Sequence, residues 1–267
     1  MHRLTVVDSF TNTAFSGNPA AICILQEAAE ETWMQLVARE MNLAESAFLV
    51  REGTEWRLRW MTPLVEVDLC GHATLAAAHV LWTEGHSKAG TELRFQTRSG
   101  LLTATQSNGL IWLDFPSTPP RPVEAPQDLA TMLGAEPVWV GQTPFDYLVE
   151  LKDEATVRGL NPDLAAIAKL GGRGVIVTAA ASPSKAKSAE SADYVSRFFA
   201  PAVGVPEDPV TGSAHCALSP YWSGKLGRND LVGFQASVRG GVIKTVLAGD
   251  RVKLGGEAVT ISRVELL

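Results

Sequence analysis

Glu45, His72, Asp208 and Ser213 are the side chains whose types and settings point to acid–base chemistry. Glu45 lies in N-L-A-E-S-A-F (Asn42–Phe48), where a helical pattern ends and an apolar strand pattern begins. Partial withdrawal from water at such a junction raises a carboxyl from about 4.3 toward neutrality, where one group both takes and returns a proton. A surface glutamate in a turn is the plainer reading of the same residue, and the local sequence does not dismiss it. His72 follows Gly71 at the head of an Ala-rich helix. The unpaired N–H groups there favour an anion and lower a histidine pKa, which predicts a neutral imidazole able to bond a substrate or relay a proton. Satisfying the loop backbone is its alternative role. Ser213 follows Gly212 in the same way and either donates to a substrate or caps its helix. Asp208, before Pro209, either accepts loop amides or orients a substrate amine or hydroxyl, or serves as a second acid–base group.

Other combinations of these residues are weaker. Ser213, His215 and Asp208 invite a hydrolase reading, but T-G-S-A-H lacks the G-x-S-x-G elbow and places His215 badly for activating Ser213. His72, His79, His215 and Asp208 show no ligand spacing, so no metal is expected. Cys70 shares a loop with His72, but the corresponding later loop offers Thr211 and Asp208 and no cysteine, so a two-thiol mechanism is disfavoured. Cys216 falls in an apolar run and reads as packed.

The elements that position these groups come twice. R-W-M-T-P from Arg59 leads through D-L-C-G-H-A-T-L-A-A-A-H-V-L-W to Trp82. R-F-F-A-P from Arg197 leads through E-D-P-V-T-G-S-A-H-C-A-L-S-P-Y-W to Trp222. Superposing the two glycines places His72 on Ser213. Each copy predicts a strand end, a loop, and a helix buried on every side, with Pro220 expected to kink or end the second helix. Strands are expected at Leu4–Phe10, Ala21–Leu25, Ser46–Arg51 and Trp56–Met61, and an amphipathic helix at Glu30–Met41 with Trp33, Leu36, Val37 and Met41 as its apolar face. Further strands are expected at Glu92–Thr97, Leu101–Gln106, Leu110–Phe115, Val138–Val140, Tyr147–Leu151, Gly174–Thr178 and Tyr194–Phe199, with four more after Leu231. Helices are expected near Asp128–Leu133 and Pro162–Leu170. Five prolines between Pro116 and Pro126 mark a stiff linker, and the tract from Ala181 to Asp193 reads as an exposed mobile loop. No G-x-G-x-x-G or Walker motif appears, which disfavours a nucleotide-binding sheet.

The 267 residues, 46% hydrophobic, suffice for one large core or two medium ones. A net charge of −6 without a basic stripe argues against nucleic acid. No apolar run approaches the ~20 residues of a membrane span, and no signal-peptide core appears. Three cysteines make no disulfide framework, so a reducing, cytoplasmic setting is expected.

The set S-G-N-P-A-A (Ser16–Ala21), N-L-A-E-S-A-F, D-L-C-G-H-A-T (Asp68–Thr74) and E-D-P-V-T-G-S-A-H (Glu207–His215) resembles the phenazine-biosynthesis isomerase (PhzF-like) family in order and over essentially the whole chain. The resemblance implies the diaminopimelate-epimerase-like α+β fold. That fold has two pseudo-symmetric domains, each a mostly antiparallel strand barrel around a central helix, with the active site in the cleft between them. Residues 1–117, with 256–267 packing back, would form one domain and 118–255 the other. It further implies a cofactor-free, metal-free isomerase, expected as a homodimer, with Glu45 as acid–base catalyst assisted by His72 and Asp208. Gly71, Gly212, Ser213 and Asn18 would contact the substrate. Two glycine-led helix starts facing one cleft predict a small carboxylate-bearing substrate. A silent metabolite-binding protein and a lyase using the same base remain open from the sequence.

Overall fold

The computed structural model describes residues 2–182 and 192–267. Most of the expected loop Ala181–Asp193 therefore lies outside the described residues. Contacts divide the chain into two compact units, one running to Phe115 and including Leu254–Leu267, the other Pro116–Lys253.

The first unit comprises β1 (His2–Ser9), β2 (Asn18–Leu25), α1 (Glu31–Met41), β3 (Glu45–Glu52), β4 (Glu55–Met61), β5 (Glu66–Val67), α2 (Gly71–Thr83), β6 (Leu93–Thr97), β7 (Gly100–Ser107) and β8 (Leu110–Pro116). The second comprises β9 (Arg121–Pro122), α3 (Leu129–Leu133), β10 (Trp139–Gln142), β11 (Asp146–Glu150), α4 (Glu154–Gly159), α5 (Leu164–Ile167), β12 (Gly174–Ala180), β13 (Tyr194–Ala200), β14 (Val205–Asp208), α6 (Gly212–Leu226), β15 (Asp230–Gln235) and β16 (Gly241–Ala248). Then come β17 (Arg251–Gly256) and β18 (Ala258–Leu266), and β18 pairs antiparallel with β1.

The two units share one strand plan. In the first, β1 is antiparallel to β2, β2 parallel to β3, β3 antiparallel to β4, β4 antiparallel to β5 and parallel to β6, and β6 antiparallel to β7. In the second, β10 to β16 repeat each relation in the same order, with β14 standing for β5. The parallel pairs arise because a helix must carry the chain back between them: α1 after β2 and α4 after β11. The expected barrels are corrected to open sheets: the strands pack on the central helices without closing. Parallel pairing leaves strands covered on both faces. Val175 and Val177 of β12 join the core under α3–α5, while Ile176 between them packs with Ala214, Leu218 and Trp222 of α6.

Local sequence explains several departures. In α1 the buried face is Met34, Val37 and Ala38, while Leu36 is 60% exposed, so Leu36 does not belong to the core face. Helix α6 runs through Pro220 and does not end there. A proline has no N–H to give the carbonyl four residues back. Here that carbonyl, Cys216 O, accepts from Thr118 N at 3.1 Å. The proline-rich segment is thus pinned to the helix it frees, and Arg121–Pro122 adds a short strand against β10. The repeated arginines also gain a role. Arg59 donates from Nε and Nη2 to both Glu66 oxygens at 2.7 and 2.5 Å, and Arg197 does the same to Glu207 at 2.7 and 2.9 Å. Each bidentate pair ties the strand before a central helix to the short strand that leads into that helix.

Candidate active site

Three strand ends meet the head of α2. Ser9 closes β1 opposite Asn18, which opens β2, and Glu45 opens β3 beside Ala20. Gly17 holds this corner at φ +66, and a Cβ there would lie 2.2 Å from Ser9 O, so only glycine brings Asn18 in. Asn18 is fully buried, with its side-chain nitrogen 3.1 Å from His72 Nδ1. Cys70 Sγ lies 3.5 Å from the same ring nitrogen, and Ser9 Oγ donates to His72 O at 2.8 Å. The other ring nitrogen, Nε2, faces Glu45 Oε2 at 3.1 Å. That approach is within ion-pair range but out of hydrogen-bond alignment, and both atoms are buried without a hydrogen-bond partner. Buried polar atoms left in this state are rare and ask for a reason.

The charge state of His72 differs from the sequence expectation. Burial opposes a charged ring, yet Cys70 and Glu45 more than offset it and hold His72 well above the usual histidine value. Burial, with Glu45 adding to it, pushes the Cys70 thiol up to about 11, so the sulfur stays protonated. Cys70 and the Glu45 carboxyl group at 3.1 Å together outweigh the partial charge of a helix start. The neutral imidazole is therefore corrected to a ring that holds its proton.

Glu45, Cys70 and His72 each offer a ligand atom, all within 4.8 Å of one another. Spacing rules miss this trio because its members come from a strand start and a helix start. The donor types suit Zn²⁺, but sulfur approaches Nδ1 while the carboxylate approaches Nε2.

At the head of α6, Asp208 ends β14 and accepts a short hydrogen bond from Thr211 Oγ1. Gln235 fastens this loop: its Nε2 donates to Asp208 O at 2.7 Å, and its Oε1 accepts from Thr211 N at 2.8 Å. The N-cap positions of α2 and α6 belong to Cys70 and Thr211, whose side chains make no capping bond, so Ser213, one residue inside α6, is not its N-cap. Ser213 Oγ instead accepts from Arg173 Nη2 at 3.0 Å. His215 is wholly buried, lies 2.9 Å from the Tyr194 hydroxyl through Nδ1, and is pushed down to about 3 by burial. That pairing leaves no Ser–His couple for hydrolysis. All three cysteines are buried and none forms a disulfide.

Of the residues singled out in the sequence, Glu45, Gly71, His72 and Asn18 thus gather at the α2 head, and Asp208, Gly212 and Ser213 at the α6 head. Gln235 as the loop fastener and Arg173 were missed. Only the G-G-R-G run around Arg173 gave a local sign of a special backbone.

A family model described as phenazine biosynthesis-like protein matches residues 7–263. The chain is 51% identical over 263 residues to an uncharacterized isomerase of Halalkalibacterium halodurans, covering 98% of this chain and 97% of that protein. It is 48% identical over 256 residues to an uncharacterized isomerase of Pseudomonas aeruginosa, covering 96% and 95%. The crystal structure of a PhzF-family phenazine biosynthesis protein from Enterococcus faecalis superposes with a TM-score of 0.93 at 40% identity, covering 100% of this chain and 99% of that one. The first two of these relatives are named isomerases and are matched over nearly the whole chain, and the chain is an isomerase. It belongs to the phenazine biosynthesis-like family. No helix among the described residues is long and apolar enough to cross a membrane.

Proposed function

We propose that this isomerase moves a proton between two carbons of a small carboxylate-bearing metabolite, with Glu45 as both base and acid. The observation that carries the reading is the Glu45–His72 pair: two buried atoms 3.1 Å apart, neither in a hydrogen bond. Glu45 takes a proton from carbon, and the electron pair left behind spreads into the unsaturated, carboxylate-bearing system of the substrate. Glu45 then returns the proton to a second carbon. Atoms and electrons balance with nothing gained or lost, so the step calls for no redox cofactor. His72 holds positive charge beside the carboxylate whenever Glu45 is ionised, and Asn18 fixes the ring that carries it. Asp208 and the Gly212–Ser213 head of α6 contact the substrate, supported by the family motif and by a helix start whose N-cap residue, Thr211, makes no side-chain capping bond.

Glu45→Gln keeps the shape and removes the proton carrier. Turnover should fall on the order of 10²–10⁴-fold with unchanged circular dichroism. A variant keeping more than about a tenth of native turnover contradicts the assignment.

A further inference from the structure

Arg173 belongs to none of the motifs that mark the site, yet it touches one of their residues. It stands just before β12, at the same end of the parallel β11–β12 pair that Glu45 occupies in the β2–β3 pair of the other unit. Its guanidinium is held on several sides. Nε donates to Asp146 Oδ1 at 2.9 Å and Nη2 to Oδ2 at 2.5 Å, with Asp146 only 3% exposed. The rings of Phe198 and Phe145 lie 5.1 and 5.9 Å from its central carbon, and its backbone N–H donates to Phe145 O at 2.7 Å. A planar fork gripped this way has one orientation. In that orientation Nη2 also donates to Ser213 Oγ at 3.0 Å.

A hydroxyl whose oxygen accepts from a cation keeps its own proton to give, and the cation draws electron density from the oxygen and makes it a stronger donor. Asp146 balances the charge of Arg173, so the arginine acts through the serine and not as a loose cation. We propose that Arg173 is a positioning residue that fixes Ser213 as a hydrogen-bond donor to an anionic oxygen, the carboxylate of the substrate. The proposal deepens the reading above and rests on Ser213 as a substrate contact. It also gives the duplication its logic. The head of α2 meets a carboxylate and became the proton-moving end; the head of α6 meets a guanidinium and became the anion-holding end.

The test replaces the hydroxyl by a titratable reporter. In Ser213→Cys the alkylation rate with iodoacetamide is followed against pH, with the native protein as background because its three cysteines are buried. With Arg173 in place the thiol should titrate at least about one pH unit below the ordinary cysteine value of about 8.5. Adding Arg173→Gln should return it to about 8.5 or higher, and Arg173→Lys should restore part of the lowering. A midpoint at or above the ordinary value with Arg173 intact overturns the proposal, even if the glutamine variant fails to fold. No substrate enters this readout, so it stands or falls apart from proton transfer by Glu45. Benzoate serves as the carboxylate probe, with binding read by tryptophan fluorescence or NMR shifts. Native protein and Glu45→Gln should bind it alike and Arg173→Gln roughly tenfold more weakly. No binding to native protein, or equal binding by Arg173→Gln, overturns the carboxylate assignment.

Discussion

The proposed proton shuttling by Glu45 calls for a neighbour that tolerates both charge states of the carboxyl group, and the proposal gives that part to His72. Its ring is buried, approached on Nδ1 by Asn18 and Cys70, and turned on Nε2 toward Glu45. Cys70 fills space and faces the ring, but a thiol pushed up to about 11 is protonated and a poor base at neutral pH. Cys70→Ser should therefore keep at least about half of native turnover, and dialysis against a chelator should change nothing. Loss of turnover in a folded Cys70→Ser would return the thiol to the mechanism; loss on chelation, restored by Zn²⁺, would make the trio a working metal site. At this scale the sequence placed Gly71, His72, Gly212 and Ser213 at two helix starts and Glu45 at a strand start, and the structure has them there. It misjudged the charge of His72. That depends on a carboxylate brought from a distant strand start, and a single helix pattern contains no such information.

Between the residues and the fold stand the connections that aim them. The arginines opening both repeats close on Glu66 and Glu207. Arg197 and Glu207 are mostly buried, with 11% and 20% of their side chains exposed. Removing either partner should cost about 2–4 kcal/mol in urea unfolding, and the double-mutant cycle should show coupling above about 1 kcal/mol. Additive losses would mean the clamp does not hold β14. Gly17→Ala should cost more than about 2 kcal/mol and loosen Asn18, because both φ +66 and the 2.2 Å approach to Ser9 O exclude a side chain; a native-like midpoint would contradict that. The periodicity of apolar residues made the major strands and α1 readable, and the apolar, small-residue runs after Gly71 and Gly212 did the same for α2 and α6. It could not show α6 running on through Pro220, because the partner that satisfies Cys216 O comes from Thr118, far away in sequence. The short α4 and β14 carry too few residues for any period to show.

For the whole molecule, the doubled motif announced a doubled fold, but the parallel pairs and the open sheets were not readable. Strand direction is decided by which helix crosses over, and closure by edge pairing; neither leaves a mark in local composition. The molecule also carries two buried histidines of opposite sign. His215, lowered to about 3, stays neutral in the fold while the unfolded chain takes up a proton below about 6.5. Its effect is a stability loss that grows as pH falls through that window, about 2 kcal/mol by pH 5. His72, raised, contributes stability that is complete below about 6.5 and is lost as pH rises through its folded value. Urea midpoints at pH 7 and pH 5 should show a net loss in acid that His215→Gln reduces; an unchanged slope in that variant would refute the assignment. The central claim, proton movement between carbons by Glu45, is tested most directly in heavy water. Small unsaturated amino- and hydroxy-carboxylates are incubated with native protein and with Glu45→Gln, and products are read by mass spectrometry and NMR. The account predicts a compound that is isomerised with deuterium at the receiving carbon and otherwise unchanged composition, at a rate on the order of 10²-fold or more lower in Glu45→Gln. Equal exchange by Glu45→Gln, or a product lighter by water or an amine, would contradict it.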